Sequence, residues 1–362
     1  MLKKLDYYII RKFLGTFFYA ILLITMIAIV IDFSEKVDKL FAPGITMKQV
    51  LFDYYLHFIP WINGLLWPLF ALLSVIFFTA RLAKNNEIIS ILSSGVSYRR
   101  FLMPYMVAST LLASLLWVGN NFVIPKSIKL KNEFEEVQMN KSKTKSLGYN
   151  THFFLSPDEK VYLRHYRSKD TTGSTFRYEK FKNHELVYIL KANRMTLKEE
   201  PNLWTLHDYE QRSFDGMKES FTSGKGKQLD TLLSLEPKDF VRNSRLIQNT
   251  TTADLLEFID IEQQPGLDTA QAMKIEVHRR SADPVTIIIL TLLGAAIASR
   301  KVRGGLGLHI ASGVIIGAAF VLVSRFSMTI SNNLSIHPAF GMWLPNIIFA
   351  ILALILVSRA QK

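Results

Sequence analysis

The chain has 362 residues, of which 49% are hydrophobic and 20% charged, and its formal net charge is +13. The absence of cysteine excludes disulfides, thiolate metal sites and a cysteine nucleophile. Much of the basic excess flanks long apolar runs, and no basic stripe interleaved with aromatics marks a nucleic-acid module, so the charge points to membrane topology rather than to nucleic acid.

Six apolar segments stand in two groups of three. The first group is uncharged over Phe13–Ile31, Tyr54–Ala80 and Phe101–Pro125, each near or above the ~20 residues that a helix needs to cross about 30 Å of hydrocarbon. The second runs over Pro284–Ser299, Gly304–Ser324 and about Phe340–Ser358, the first of these being short and expected to begin nearer Ser281. Soluble helices carry one apolar stripe, whereas these are apolar all round. The expected fold is a membrane α-helical bundle of six transmembrane helices with an inserted all-β, jelly-roll-like domain. Residues 1–125 hold the first three spans, 126–283 the insert with its flanking helices, and 284–362 the last three.

Orientation follows from the basic residues beside the spans. Lys3, Lys4, Arg11 and Lys12 precede span one, Arg81, Lys84, Arg99 and Arg100 join spans two and three, and Arg300, Lys301 and Arg303 join spans four and five. Arg359 and Lys362 end the chain. This pattern predicts that both termini are cytoplasmic and the insert external. No small-x-small cleavage site precedes Asp32, so the basic start reads as a retained span rather than a signal peptide.

Between spans two and three, the segment 83–98 reads as an amphipathic helix, with Ile88, Ile91, Leu92 and Val96 on one face and Glu87, Ser90, Ser94 and Ser97 on the other. Such a helix lies flat at the membrane, either as a coupling element offering Glu87 to a cytoplasmic partner or as a plain interfacial connector. The insert opens with a charged helical stretch through Lys131, Glu133, Glu135 and Glu136. It turns β-rich from Ser146 to Leu235, with short runs at His152–Leu155, Val161–Tyr166, Leu186–Leu190 and Leu203–Tyr209. Alternating strands of this kind suggest a sandwich, jelly roll or open barrel, and Phe154, Tyr162, Leu190 and Trp204 are candidates for holding acyl chains in its groove. Helical pattern returns from Thr252 through Leu255, Leu256, Ile259 and Ile261, and after Pro265-Gly266 a second helical run reaches Arg280 and feeds span four.

Several chemistries are missing. There is no phosphate-binding G-x-x-x-x-G-K-[ST] loop, no G-x-S-x-G elbow and no H-E-x-x-H helix, and the histidines lack the spacing of a metal site. No cofactor or metal is expected on this chain. Inside the bundle, Gly313 and Gly317 permit close helix approach, and Asp32 and Arg325 fall near the external ends of their spans, where Arg325 either snorkels to the interface or serves a function.

The opening Leu5-Asp6-Tyr7-Tyr8-Ile9-Ile10, the Val37-Asp38-Lys39-Leu40 after span one and the Arg81 to Gly95 loop resemble the lipopolysaccharide-export permeases of the LptF/LptG type, with the opening closer to the LptG branch. The three-plus-three topology around an external β-domain resembles them too, although the insert offers little residue-level likeness. The resemblance implies a non-enzymatic permease subunit of an ATP-binding-cassette exporter in the inner membrane of a Gram-negative bacterium. It implies pairing with a second permease, a dimeric cytoplasmic ATPase that uses ATP and Mg, and a periplasmic bridge protein with a jelly-roll domain. Lipopolysaccharide is the implied cargo. Glu87 falls on the acidic ATPase-coupling position, with Arg81, Ser90 and Ser94 around it. Lys36, Lys39, Lys126, Lys129, Lys131 and Arg325 become candidates for meeting lipid phosphates, and spans one and five, with Asp32, Arg325, Gly313 and Gly317, for forming a lateral gate. A regulatory or mechanotransmission protein controlling a periplasmic partner is the alternative of a different class.

Overall fold

The computed structural model describes residues 3–135, 151–156, 158–167, 170–182, 185–199, 202–216, 218–233, 235, 244–261, 268–302, 304–333 and 337–360. They fall into two compact units, one of Met1–Met139, Gln248–Glu257 and Gln271–Lys362, the other of Asn140–Ile247 and Phe258–Ala270.

The first unit is helical. Its elements are α1 (Lys4–Leu40), α2 (Met47–Gln49), α3 (Leu56–Lys84), α4 (Glu87–Ser93), α5 (Tyr98–Val118) and α6 (Ile124–Phe134). Beyond the insert come α7 (Ser244–Asn249), α8 (Thr252–Ile261), α9 (Asp268–Ala298), α10 (Gly305–Asn333) and α11 (Pro338–Ala360), of which α7, α8 and the start of α9 extend into the second unit. Six helical stretches are long and apolar enough to cross a membrane, and the chain is a multi-pass membrane protein. At ~1.5 Å per residue the 37 residues of α1 span about 55 Å and overshoot the hydrocarbon, which leaves both of its charged ends in polar surroundings. Span four is longer than its apolar run because α9 continues back to Asp268 through Glu276, Arg279, Arg280 and Asp283, which pair with one another three and four residues apart.

The core of the bundle gathers Phe13 and Phe17 of α1, Val75 and Ile76 of α3, Tyr105 of α5 and Leu290 of α9. Helices α1 and α5 pack together and α1 also packs on α3, while α10 packs on α3 and α11. Small residues permit the close approaches: a methyl group added at Gly294 would lie 2.6 Å from Val75, and one at Gly313 would lie 2.6 Å from Ile76. Only 11% of the apolar stretch of α1 and 17% of that of α10 are buried, against 61% for α9, so α1 and α10 are the flanks and α9 is the centre. Two π-helical turns interrupt the spans, Val50–Tyr55 before α3 and Gly119–Val123 after α5. Each carries the polar side chains of a buried network described below.

Among the described residues, the second unit has one antiparallel sheet of six strands: β1 (Thr151–Ser156), β2 (Glu159–Arg167), β3 (Thr172–Lys182), β4 (Glu185–Glu199), β5 (Leu203–Asp215) and β6 (Lys218–Leu232). The order is sequential, so every strand pairs with its chain neighbours in a meander, where a jelly roll of two Greek keys would set non-consecutive strands side by side. One face holds Val161, Leu163, Phe176, Leu190, Met195 and Trp204 as a dry core. The indole of Trp204 donates to the Leu235 carbonyl at 2.9 Å, which fastens the segment after β6 onto that core. Left-handed backbone at Thr175, Asp208 and Gly226, with a register shift between His207 and Tyr209, interrupts the ladder and bends the strands there.

Candidate functional site

The bundle has polar groups at both ends of α1. At the Asp6 end, the buried Asp6 carboxylate accepts both terminal nitrogens of Arg100, at 2.7 and 2.5 Å, and the Lys3 backbone N–H at 2.6 Å. That fork fixes the start of α1 against the start of α5. The α4 helix is shorter than the expected 83–98. Asn86, in left-handed conformation at φ 61°, breaks it from α3, and Gly95 at φ 87° ends it. Ile88 is buried under it and Ile91 and Leu92 are half-buried, as their spacing predicts, while Glu87 is half-buried and Ser90 and Ser94 are exposed. Glu87 accepts from the Asn85 amide at 3.1 Å and lies 3.5 Å from the Tyr8 hydroxyl. Both serine hydroxyls bond backbone carbonyls, Ser90 that of Asn86 and Ser94 that of Ile91. Arg81 is exposed and makes no ion pair among the described residues.

At the Asp32 end, three elements converge. Lys36 on α1 donates to Asp32 at 2.7 Å, to Glu135 after α6 at 3.0 Å and to the Tyr54 hydroxyl of the first π turn, so all three of its N–H groups are engaged. Tyr54 in turn donates to Asp32 at 2.9 Å. Lys131 on α6 reaches the same Glu135 oxygen at 3.1 Å and stands 4.6 Å from the centre of the Trp61 ring. Two ammonium groups thus face two carboxylates, and the cluster is neutral. Burial would raise the Glu135 carboxyl, but Lys131 and Lys36 together hold it below the usual carboxylate range.

Of the basic residues expected to meet lipid phosphate, the structure brings Lys36 and Lys131 together. Lys39, Lys126, Lys129 and Arg325 are exposed and apart from this cluster. The expected contact between Asp32 and Arg325 does not form within the chain, because Asp32 is taken by Lys36 and Tyr54 and Arg325 makes no ion pair among the described residues. Gly313 and Gly317 face α3 instead, against Ile76 and Leu69. Sequence reasoning gave no role to Tyr54, Glu135 or Asp6, although Asp32 with Lys36 and Lys131 with Glu135 each stand four apart, the spacing of a helical ion pair.

A second buried cluster surrounds Arg280 on α9, which is 2% exposed. It donates to Glu276 at 2.9 Å, to the Thr252 hydroxyl at 2.9 Å and to the Thr250 carbonyl at 2.9 Å. The Thr252 hydroxyl donates to the side-chain oxygen of Asn121 in the second π turn at 2.6 Å, and the Asn121 amide nitrogen donates to the Trp117 carbonyl at 2.7 Å. This cluster ties the returning segment 248–252 to the bundle.

In the sheet unit, the four acyl-chain candidates do not share one face. Leu190 and Trp204 lie in the dry core, while Tyr162 pairs with Arg177, which pairs with Lys191, one residue out of phase with Leu190 and hence on the opposite face. That face carries a shallow cavity of about 450 Å³ lined by Tyr162, Arg177, Lys191, Asp208, Glu210 and Lys225, among others. Phe154 belongs to β1, whose side chains lie outside the described residues. Among the described residues no three His, Asp or Glu side chains converge as a metal site.

A family model described as "Lipopolysaccharide export system permease LptF/LptG" matches residues 7–359. The chain is 20% identical to the lipopolysaccharide export system permease protein LptG of Haemophilus influenzae over 362 residues, which cover all of both chains. It is also 26% identical to an uncharacterized protein of Aquifex aeolicus over 203 residues, 53% of this chain and 51% of that one.

Proposed function

The chain belongs to the LptF/LptG family of lipopolysaccharide export system permeases, and from that membership we propose that it is the LptG-like subunit of an ATP-driven exporter in the inner membrane. It pairs with a second permease, and the two extract lipopolysaccharide from the outer leaflet and pass it to a periplasmic bridge protein. The chain binds no cofactor; a separate dimeric ATPase supplies hydrolysis with ATP and Mg. The observation that carries the reading is the match over residues 7–359. The weakly buried flanks α1 and α10 support it, since they leave apolar faces for lipid and for a second permease. Both termini face the cytoplasm and the β-domain the periplasm, in keeping with the basic residues at the Asp6 end. Glu87 is the ATPase contact, held beside α1 by Tyr8. Lys36 and Lys131 meet lipid phosphate.

Copurification of the full chain with its partners, read by mass spectrometry, tests the assignment. The expected result is an ATPase, a second permease and a phosphorylated glycolipid. Glu87→Ala should insert normally and lose ATPase association by about twofold to fivefold, the range of a single surface ion pair. Normal association together with normal lipid extraction would remove Glu87 from the interface, and copurification without ATPase or glycolipid would overturn the exporter reading.

A further inference from the structure

The lysines assigned to lipid phosphate are already occupied. All three N–H groups of Lys36 have partners, and one of them is an oxygen of Glu135 that Lys131 also holds. A carboxylate oxygen bridging two ammonium groups stands where a phosphate oxygen would stand. The site as it is carries no net charge, so an incoming anion gains attraction only as Glu135 turns away, and until then it meets repulsion from Glu135 and Asp32 in a half-buried setting. The ring of Trp61 beside Lys131, and exposed Ile27, Val30 and Ile31 on α1 just before Asp32, provide adjoining apolar surface.

We propose that Glu135 is a specificity-determining residue, an internal anion that a lipid headgroup must displace from Lys36 and Lys131. Displacing Glu135 costs every headgroup alike, and phosphomonoesters, which carry about −1.5 to −2 charge at neutral pH, recover more of that cost from the two lysines than zwitterionic phosphodiesters, whose single phosphate charge is balanced by their own cation. Glu135 thereby sets a threshold that ordinary bilayer lipids do not cross. The inference rests on the reading that Lys36 and Lys131 meet lipid phosphate.

Two amphiphiles with the same tail separate the chemistry: hexadecyl phosphate, a phosphomonoester, and hexadecylphosphocholine, a zwitterionic phosphodiester. Titrated into the full chain in neutral detergent, the phosphomonoester should bind at least about tenfold more tightly. Glu135→Gln should strengthen binding of both by about tenfold or more, so that hexadecylphosphocholine reaches about the wild-type affinity for hexadecyl phosphate, while Glu135→Asp, which keeps the charge, should leave both affinities near their wild-type values. Unchanged affinities in Glu135→Gln, or an equal gain in both variants, overturn the threshold. The double variant Lys36→Gln with Lys131→Gln separates the two layers. If it binds hexadecyl phosphate as the wild type does, the phosphate-site reading itself fails; if it loses that binding while Glu135→Gln leaves both affinities unchanged, only the role of Glu135 fails. Competition by inorganic phosphate as strong as that by hexadecyl phosphate would overturn a lipid ligand in favour of the free ion.

Discussion

The bundle contains two buried clusters of the same composition, two acids and two bases, built in opposite ways. Asp32, Lys36, Lys131 and Glu135 come from two helical regions and meet over Tyr54 of a third, whereas Glu276, Arg279, Arg280 and Asp283 all stand on α9. The first uses lysines, compact point charges on flexible stems that can change partners without matching a geometry. The second uses arginines, whose planar forks reward one arrangement and resist another. Arg280 directs its fork to Glu276, Thr252 and the Thr250 carbonyl, so it binds a chain segment; the lysines bind only side chains, the two carboxylates with the Tyr54 hydroxyl and the Trp61 ring. The difference separates a clasp from an exchangeable site.

The largest effect is expected at the clasp. Arg280→Ala would leave Glu276 short of one partner and a backbone carbonyl without its donor in a buried setting, a loss of about 3–5 kcal/mol of unfolding free energy. Arg280→Lys should recover little of it, since one ammonium cannot reproduce the fork. Denaturant unfolding of the three proteins in detergent checks this, and a lysine variant as stable as the wild type would end the distinction drawn between the clusters.

Lys36→Ala should cost far less, about 1 kcal/mol or under. The Lys36 side chain is a quarter exposed, Lys131 remains to balance Glu135, and Tyr54 still donates to Asp32. The ratio of the two losses measures the contrast directly. Equal losses at Lys36 and Arg280 in the same unfolding assay would make both clusters structural and remove the exchangeable site.

Much of this architecture was legible because membrane helices follow composition alone. Phe13–Ile31 and Phe101–Pro125 announced α1 and α5 without knowledge of any contact. The start of α9 was legible as a helical run feeding span four, whereas the mutual pairing of Glu276, Arg279, Arg280 and Asp283 within it was not. Strands with apolar alternation, such as β2 and β5, were visible. The β6 stretch, rich in Lys, Ser and Gly and exposed along most of its length, shows its strand character only through its ladder with β5. The candidate site was half visible. Location beside the spans singled out Lys36 and Lys131, but the meeting of residues 32, 54 and 135 is long-range, and no local pattern states that a lysine's three N–H groups are already engaged. Asp6 stood in a recognisable opening, and its bond to Arg100, 94 residues away, could not be read from either.

The smallest effect should come from an ion pair of the same residue types as the exchangeable site, placed in water. Lys198 on β4 pairs with Asp230 on β6, both well exposed, and the Thr205 hydroxyl donates to the same carboxylate at 2.6 Å. The hydrogen bond from Lys198, then that from Thr205, holds the Asp230 carboxyl below its ordinary 3.8. A depressed carboxylate stabilises the fold above its unfolded value and ceases to do so as pH falls through its folded value. The contribution is therefore complete at pH 5 and above and disappears only below about 3.8, the ordinary aspartate value. Asp230→Asn should shift the thermal midpoint slightly at neutral pH and not at all at the acid end, and added salt should shrink the neutral-pH shift because an exposed pair is screened. Lys36→Ala, measured beside it, should respond less to salt because its partners are half-buried. If the two variants respond alike to salt, the Asp32 cluster is as solvated as a surface pair, and its lysines need no displacement of Glu135 to meet an anion.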